Sequence, residues 1–111
     1  MLTIDKNNKI TLTKGDTLTL HIEPTFEGEP YTPAVGDVFR IAISEKYVGD
    51  PMYDLKIEAV IPNNTLTVTI PASKTKELNY KTYNYDIEVT HIDGVVDTFI
   101  SSTITIVGEA K

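Results

Sequence analysis

Two histidines, sixteen carboxylates and six tyrosines are the side chains of this 111-residue chain best suited to chemistry. A hydrolytic triad needs a nucleophile, a histidine and a carboxylate within hydrogen-bond reach. Serines and threonines are plentiful, yet none stands in a nucleophile-elbow sequence. His21 and His91 fall on strands expected in different sheets, so they should not meet. Both read as solvated strand histidines. Two histidines without cysteine or close spacing do not make a zinc site. For calcium the candidate donors are Asp37, Asp50 and Asp54. The ion wants six to eight oxygens, and no Asp-x-Asp-x-Asp-Gly loop is present. These acids read instead as solubilising and turn residues. The six glycines are scattered singly, so no phosphate loop exists. Tyr31, Tyr47, Tyr53 and Tyr80 fall in loops or at strand ends, where tyrosine makes a good contact for sugars or proteins. Without tryptophan a sugar-stacking platform is poorly served, and these tyrosines read as the rim of a core. No catalytic, cofactor-binding or metal residue is expected, and no cofactor.

The elements that would position these groups follow from composition and pattern. The length suits a single domain spanning residues 1–111. Apolar residues make up 41%, enough for one packed core. A net charge of −6 and a pI near 4.7 argue against nucleic acid and against anionic membrane surfaces, both of which select basic patches. The absence of cysteine excludes disulfides and thiolate chemistry. No apolar run approaches the ~20 residues of a membrane helix. The first five residues lack a basic region followed by an apolar block, which predicts no secretory signal and folding in the cytoplasm.

The chain is organised around residues 77–94. Tyr83, Tyr85, Ile87 and Val89 share one parity, and Asn84, Asp86, Glu88 and Thr90 share the other. Such alternation predicts a strand with one face in a core. Six more strands follow from similar patterns: residues 9–13, 17–23, 37–44, 52–61, 65–70 and 95–107. In the last, Val96, Phe99 and Ile100 do not keep one parity, which predicts a bulge between 99 and 102. Residues 25–36, with Pro30, Pro33 and two glycines, read as a loop with a short extended piece near Pro30. Residues 71–79 contain helix formers, with Ser73 as a candidate cap and Leu78 as a plug into the core. Asp93-Gly94 is the strongest hairpin signal, a two-residue turn with positive φ at both positions.

Seven modest strands with regular turn signals and one short helical turn before the sixth predict an all-β, immunoglobulin-like antiparallel β-sandwich. A closed small barrel is the alternative. In such sandwiches a tyrosine at the start of the sixth strand bonds back to the preceding corner, and antibody domains place a cysteine two residues later. Tyr83 and Tyr85 occupy these positions, with an aromatic where a disulfide sits elsewhere. The residues expected to carry the fold are therefore Leu78, Tyr83, Tyr85, Ile87, Val89, Asp93 and Gly94.

Residues 10–20, Ile-Thr-Leu-Thr-Lys-Gly-Asp-Thr-Leu-Thr-Leu, resemble the opening of small prophage-encoded proteins of Gram-positive bacteria. The resemblance continues through Asp37 to Ile43, then Leu78, Tyr83, Tyr85, Asp86 and Ile87, and closes with Asp93-Gly94 and Thr98. The chain is also similar to the N-terminal immunoglobulin-like domain of siphophage baseplate upper proteins. One departure is Lys81-Thr82, where relatives often carry glycine before the first tyrosine. The resemblance implies a non-enzymatic structural part of a virion, tail or baseplate associated. It would be assembled in the bacterial cytoplasm and bind other virion proteins or itself. It transfers no catalytic residue. The alternative is a bacterial surface adhesion or glycan-binding module, which the missing signal, anchor and tryptophan disfavour.

Overall fold

The computed structural model describes residues 2–4, 7–46 and 49–108. Tyr47 and the tail residues 109–111 lie outside the described residues. The protein is all-β. In chain order the strands are β1 Leu2–Ile4, β2 Ile10–Thr13, β3 Leu18–His21, β4 Thr25–Phe26, β5 Glu29–Pro30, β6 Val38–Ser44, β7 Leu55–Ile61, β8 Thr67–Ile70, β9 Thr82–Thr90 and β10 Val96–Val107. A single helical turn, α1 Ala72–Thr75, precedes β9. One sheet runs β1-β2-β10-β9-β6-β7, a second is β3-β8, and β4-β5 form a separate hairpin. The first two sheets close over one shared core.

The core is built from rows that cross the large sheet. Ile61, Phe39 and Val89 align, as do Ala59, Ile41, Ile87 and Ile100, and then Ile57, Ile43 and Tyr85. Opposite them Leu18, Leu20, Val68 and Ile70 come from the small sheet, and all four are buried. Each such aliphatic contributes about 1.5–3 kcal/mol when taken from water. β9 supplies a residue to every row and pairs on both sides, with β6 and with β10. Leu78 is buried beneath it.

The strands depart from expectation in four places. β10 runs parallel to β2, so the large sheet is mixed rather than antiparallel. Only strands joined by a tight turn are obliged to be antiparallel, and most of the chain separates these two. Three short strands, β1, β4 and β5, add to the seven; two or three residues are too few to give a readable alternation. The fourth expected strand begins at Leu55 instead of residue 52. Residue 66 turns out of its strand with φ 52, so β8 starts at Thr67.

The bulge lies where the parity of β10 fails. Asp97 faces Val89 and Ile100 faces Ile87, three residues against two. The extra residue keeps both Asp97 and Ile100 on the core side. The helical turn has Pro71 at its N-cap, with no side-chain cap, so Ser73 does not cap it. Its anchor is Thr75, whose hydroxyl donates to the Asp16 carbonyl at 2.6 Å. At the Asp93-Gly94 turn only Gly94 has positive φ, at 89°. The Gly94 amide donates to the His91 carbonyl and the His91 amide to Val95, enclosing a three-residue loop rather than a two-residue one.

At the start of β9 the Tyr83 hydroxyl accepts the Asn79 amide at 2.8 Å. The ring is buried, so this bond fixes the corner between α1 and β9. Tyr83→Phe keeps the ring and removes the acceptor. It is expected to cost about 0.5–1.5 kcal/mol, measured by urea unfolding. An unchanged midpoint would show that the corner holds without the bond.

Candidate interaction site

At the opposite end of β9 the chain brings three segments together around Asp37. The Asp37 side chain is only 2% exposed. Its Oδ2 accepts the Ala34 amide at 2.8 Å and the Tyr31 hydroxyl. Its Oδ1 lies 2.9 Å from His91 Nδ1. Its backbone carbonyl accepts Asn63 Nδ2 at 2.6 Å, tying in the turn between β7 and β8. On the far side of the imidazole, His91 Nε2 lies 2.9 Å from Asp97 Oδ2. A buried carboxylate is costly unless such donors surround it.

Local structure explains the convergence. His91 continues the odd, inward row of β9 one residue past the strand, and Asp97 occupies the inward face of β10 below its bulge. Tyr31 is held by its amide, which donates to the Pro24 carbonyl at 2.9 Å. An aromatic floor lies beneath: Phe39 and Phe99 stack at 5.7 Å, and Tyr31 packs against Phe39, Phe99 and the edge of His91.

The electrostatics follow from these contacts. The Tyr31 hydrogen bond, helped by Ala34 and His91 against the cost of burial, holds the Asp37 carboxyl below its ordinary range. The same carboxylate raises the Tyr31 hydroxyl. His91 is raised, first by Asp37 and then by Asp97. Both imidazole contacts are hydrogen bonds only when both ring nitrogens carry protons, so the imidazolium is the form that fits. With both nitrogens bonded to carboxylates, His91 presents neither one to a nucleophile. The arrangement braces the segments that carry Asp37, His91 and Asp97.

Above the brace stands an apolar knuckle. Val35 is 91% exposed, Ile92 78% and Val95 52%. The two loops carrying them touch at Gly36, whose φ is 86°; a Cβ there would fall 2.8 Å from Ile92 Cβ, so glycine is required. All three aliphatics stand on the loops that the brace holds.

Of the residues singled out in the sequence, Asp93 and Gly94 belong to this tip. Leu78 and Tyr83 lie at the other end of β9, and Tyr85, Ile87 and Val89 point into the core between. The Tyr85 hydroxyl donates to the Asn8 carbonyl. His91 is not the solvated strand histidine expected; His21 is exposed and pairs with Thr67 at 3.0 Å. His21 lies in β3 of the small sheet, and His91 just past the end of β9 in the large one. The calcium candidates are dispersed: Asp50 accepts the Met52 amide, Asp54 pairs with Lys56, and Asp37 belongs to the brace. Among the described residues no three His, Cys, Asp or Glu side chains gather to hold a metal ion. Tyr53 and Tyr80 play no part in the tip. The signal for the brace was present in the parity of His91, and nothing in the sequence pointed to Asp97 or Tyr31 as its partners. The chain matches no protein-family model, and no curated protein is significantly similar to it.

Proposed function

We propose that the chain is a non-enzymatic, immunoglobulin-like module of a phage or prophage particle, tail or baseplate associated, that binds other virion proteins or copies of itself. The sheet order supports the fold half of this reading. On this reading β3 and β8 would be strands B and E, β6, β9 and β10 strands C, F and G, and β7 strand C′. The hydrogen bond from Asn79 to Tyr83 matches the tyrosine corner of such domains. The resemblance of residues 10–20 and of the segment from Leu78 to Ile87 to prophage proteins supports the virion half.

The observation that carries the binding role is the knuckle of Val35, Ile92 and Val95 held on the Asp37–His91 brace. On the immunoglobulin-like reading it would belong to the B–C and F–G loops, which in variable domains meet ligands. Sedimentation velocity at rising concentration tests it. The wild type is expected to form higher oligomers, and Ile92→Asp, on an exposed position, to remain monomeric with an unchanged melting temperature. A strict monomer that binds oligosaccharide on an array would overturn this reading in favour of a surface glycan module.

A further inference from the structure

Away from the tip, a cleft of about 360 Å³ opens between the small sheet and the large one. Its lining is mixed: Ile10, Tyr85 and Ile87 form the floor beside polar Asn8, and Phe99 and Ile100 of the β10 bulge form the far wall. The near wall is the unbroken run from Leu20 to Thr25. The run starts with the end of β3, Leu20 and His21, and continues past the strand to Thr25.

One edge of β3 is open, since the strand pairs with β8 alone among the described strands. The Ile22 amide donates to the Leu66 carbonyl on the β8 side, at 2.8 Å. Alternation along the strand then turns the backbone groups of Thr19, His21 and Glu23 toward the cleft side. A two-stranded ribbon of four-residue strands is a marginal sheet, and a third strand would complete it.

Charge decides what that strand is. From Gly15 to Phe39 the chain has no lysine or arginine. Exposed Glu23 lines the cleft, and exposed Glu27 and Glu29 lie outside its lining on the β4-β5 hairpin that continues from Thr25. A second copy of a chain with net charge −6 is a poor match for this rim. We infer that the free edge of β3 is a docking rail for an extended segment of a partner protein, one with apolar side chains at alternate positions and lysines or arginines at its flanks. The segment would add to the edge by main-chain hydrogen bonds, place an apolar side chain in the cleft, and set its cations against Glu23, Glu27 and Glu29. This rests on the protein-binding reading for the nature of the occupant; it shares Phe99 with the floor of the tip but uses none of the exposed knuckle residues.

The test titrates the full chain with a synthetic peptide in which valine and threonine alternate between paired lysines, and with a counterpart carrying glutamates for the lysines. NMR amide shifts report the site. Saturable shifts over Leu18 to Glu23 and at Ile87 and Ile100 are expected with the lysine peptide. The glutamate peptide is expected to bind about tenfold more weakly, the order of three rim pairs at a few-fold each. The triple variant Glu23→Lys, Glu27→Lys, Glu29→Lys, altered only at exposed positions, is expected to reverse that preference. Absence of saturation, shifts confined to the tip or to the β7 edge, or equal binding of the two peptides would each overturn the rail. Because Ile92→Asp leaves this site untouched, its peptide binding should equal that of the wild type. Failure of the peptide test would therefore leave the tip reading standing, and failure of the tip test would leave the rail.

Discussion

Phe39→Ala is expected to destabilise the domain by about 3–5 kcal/mol. Phe39 is fully buried in the row that joins Ile61 of β7 to Val89 of β9. Its ring lies 5.7 Å from Phe99 in a stacked pair and 6.4 Å from Tyr31. Truncation therefore removes transfer energy, opens a cavity, and undoes aromatic contacts that hold Tyr31 against Asp37. For a domain of this size, where total stability is of order 5–15 kcal/mol, the loss is a large fraction. Guanidinium unfolding followed by tyrosine fluorescence measures it. Phe39→Leu retains much of the volume and is expected to cost clearly less. Equal midpoints for Phe39→Ala and the wild type would mean that the floor of the tip does not depend on the core.

The positions that could be read from the sequence are those where period and burial coincide. Phe39, Ile41 and Ile43, and then Tyr83 to Val89, alternate without interruption, and the sheet uses them as that pattern implies. The bulge in β10 was legible for the same reason: Val96, Phe99 and Ile100 break parity, and a break of parity in a buried strand needs an extra residue. The parallel pairing of β10 with β2 was not legible. Ile10 and Leu12 alternate identically whichever way the neighbour runs, since direction leaves no mark on a period of two. The hairpin at Asp93-Gly94 gained a third loop residue because its geometry depends on the His91 hydrogen bonds as well as on the glycine. The brace was hidden for a deeper reason. Tyr31 lies six residues from Asp37 and His91 six from Asp97, but 54 residues separate Asp37 from His91, and the two pairs meet only once β6, β9 and β10 lie in register. A carboxylate at a strand entrance looks like a solubilising residue until its donors are in place.

The stability of the tip should accordingly depend on pH, and in a definite direction. The folded state raises His91 above its ordinary 6.5, through Asp37 first and Asp97 second. A group raised on folding stabilises fully below its unfolded value, and that contribution disappears as pH climbs through the folded one. Asp37 is lowered below its ordinary 3.8, chiefly by Tyr31. Its contribution is present above that value and is lost as acid titrates the folded carboxylate. The two together give greatest stability between about pH 4 and 6.5, with a decline on either side. Above the window the neutral imidazole has one N–H for two carboxylates, so either Asp37 or Asp97 must face a lone pair. Asp97 is the more exposed of the two and can turn to water, which leaves the Asp37 bond as the one retained. Melting temperature measured from pH 4 to pH 9 should therefore fall on the alkaline side in the wild type. His91→Gln should flatten that fall, and Asp97→Asn should reduce it without abolishing it. The same alkaline slope in His91→Gln as in the wild type would show that the imidazolium is not what holds the three segments together.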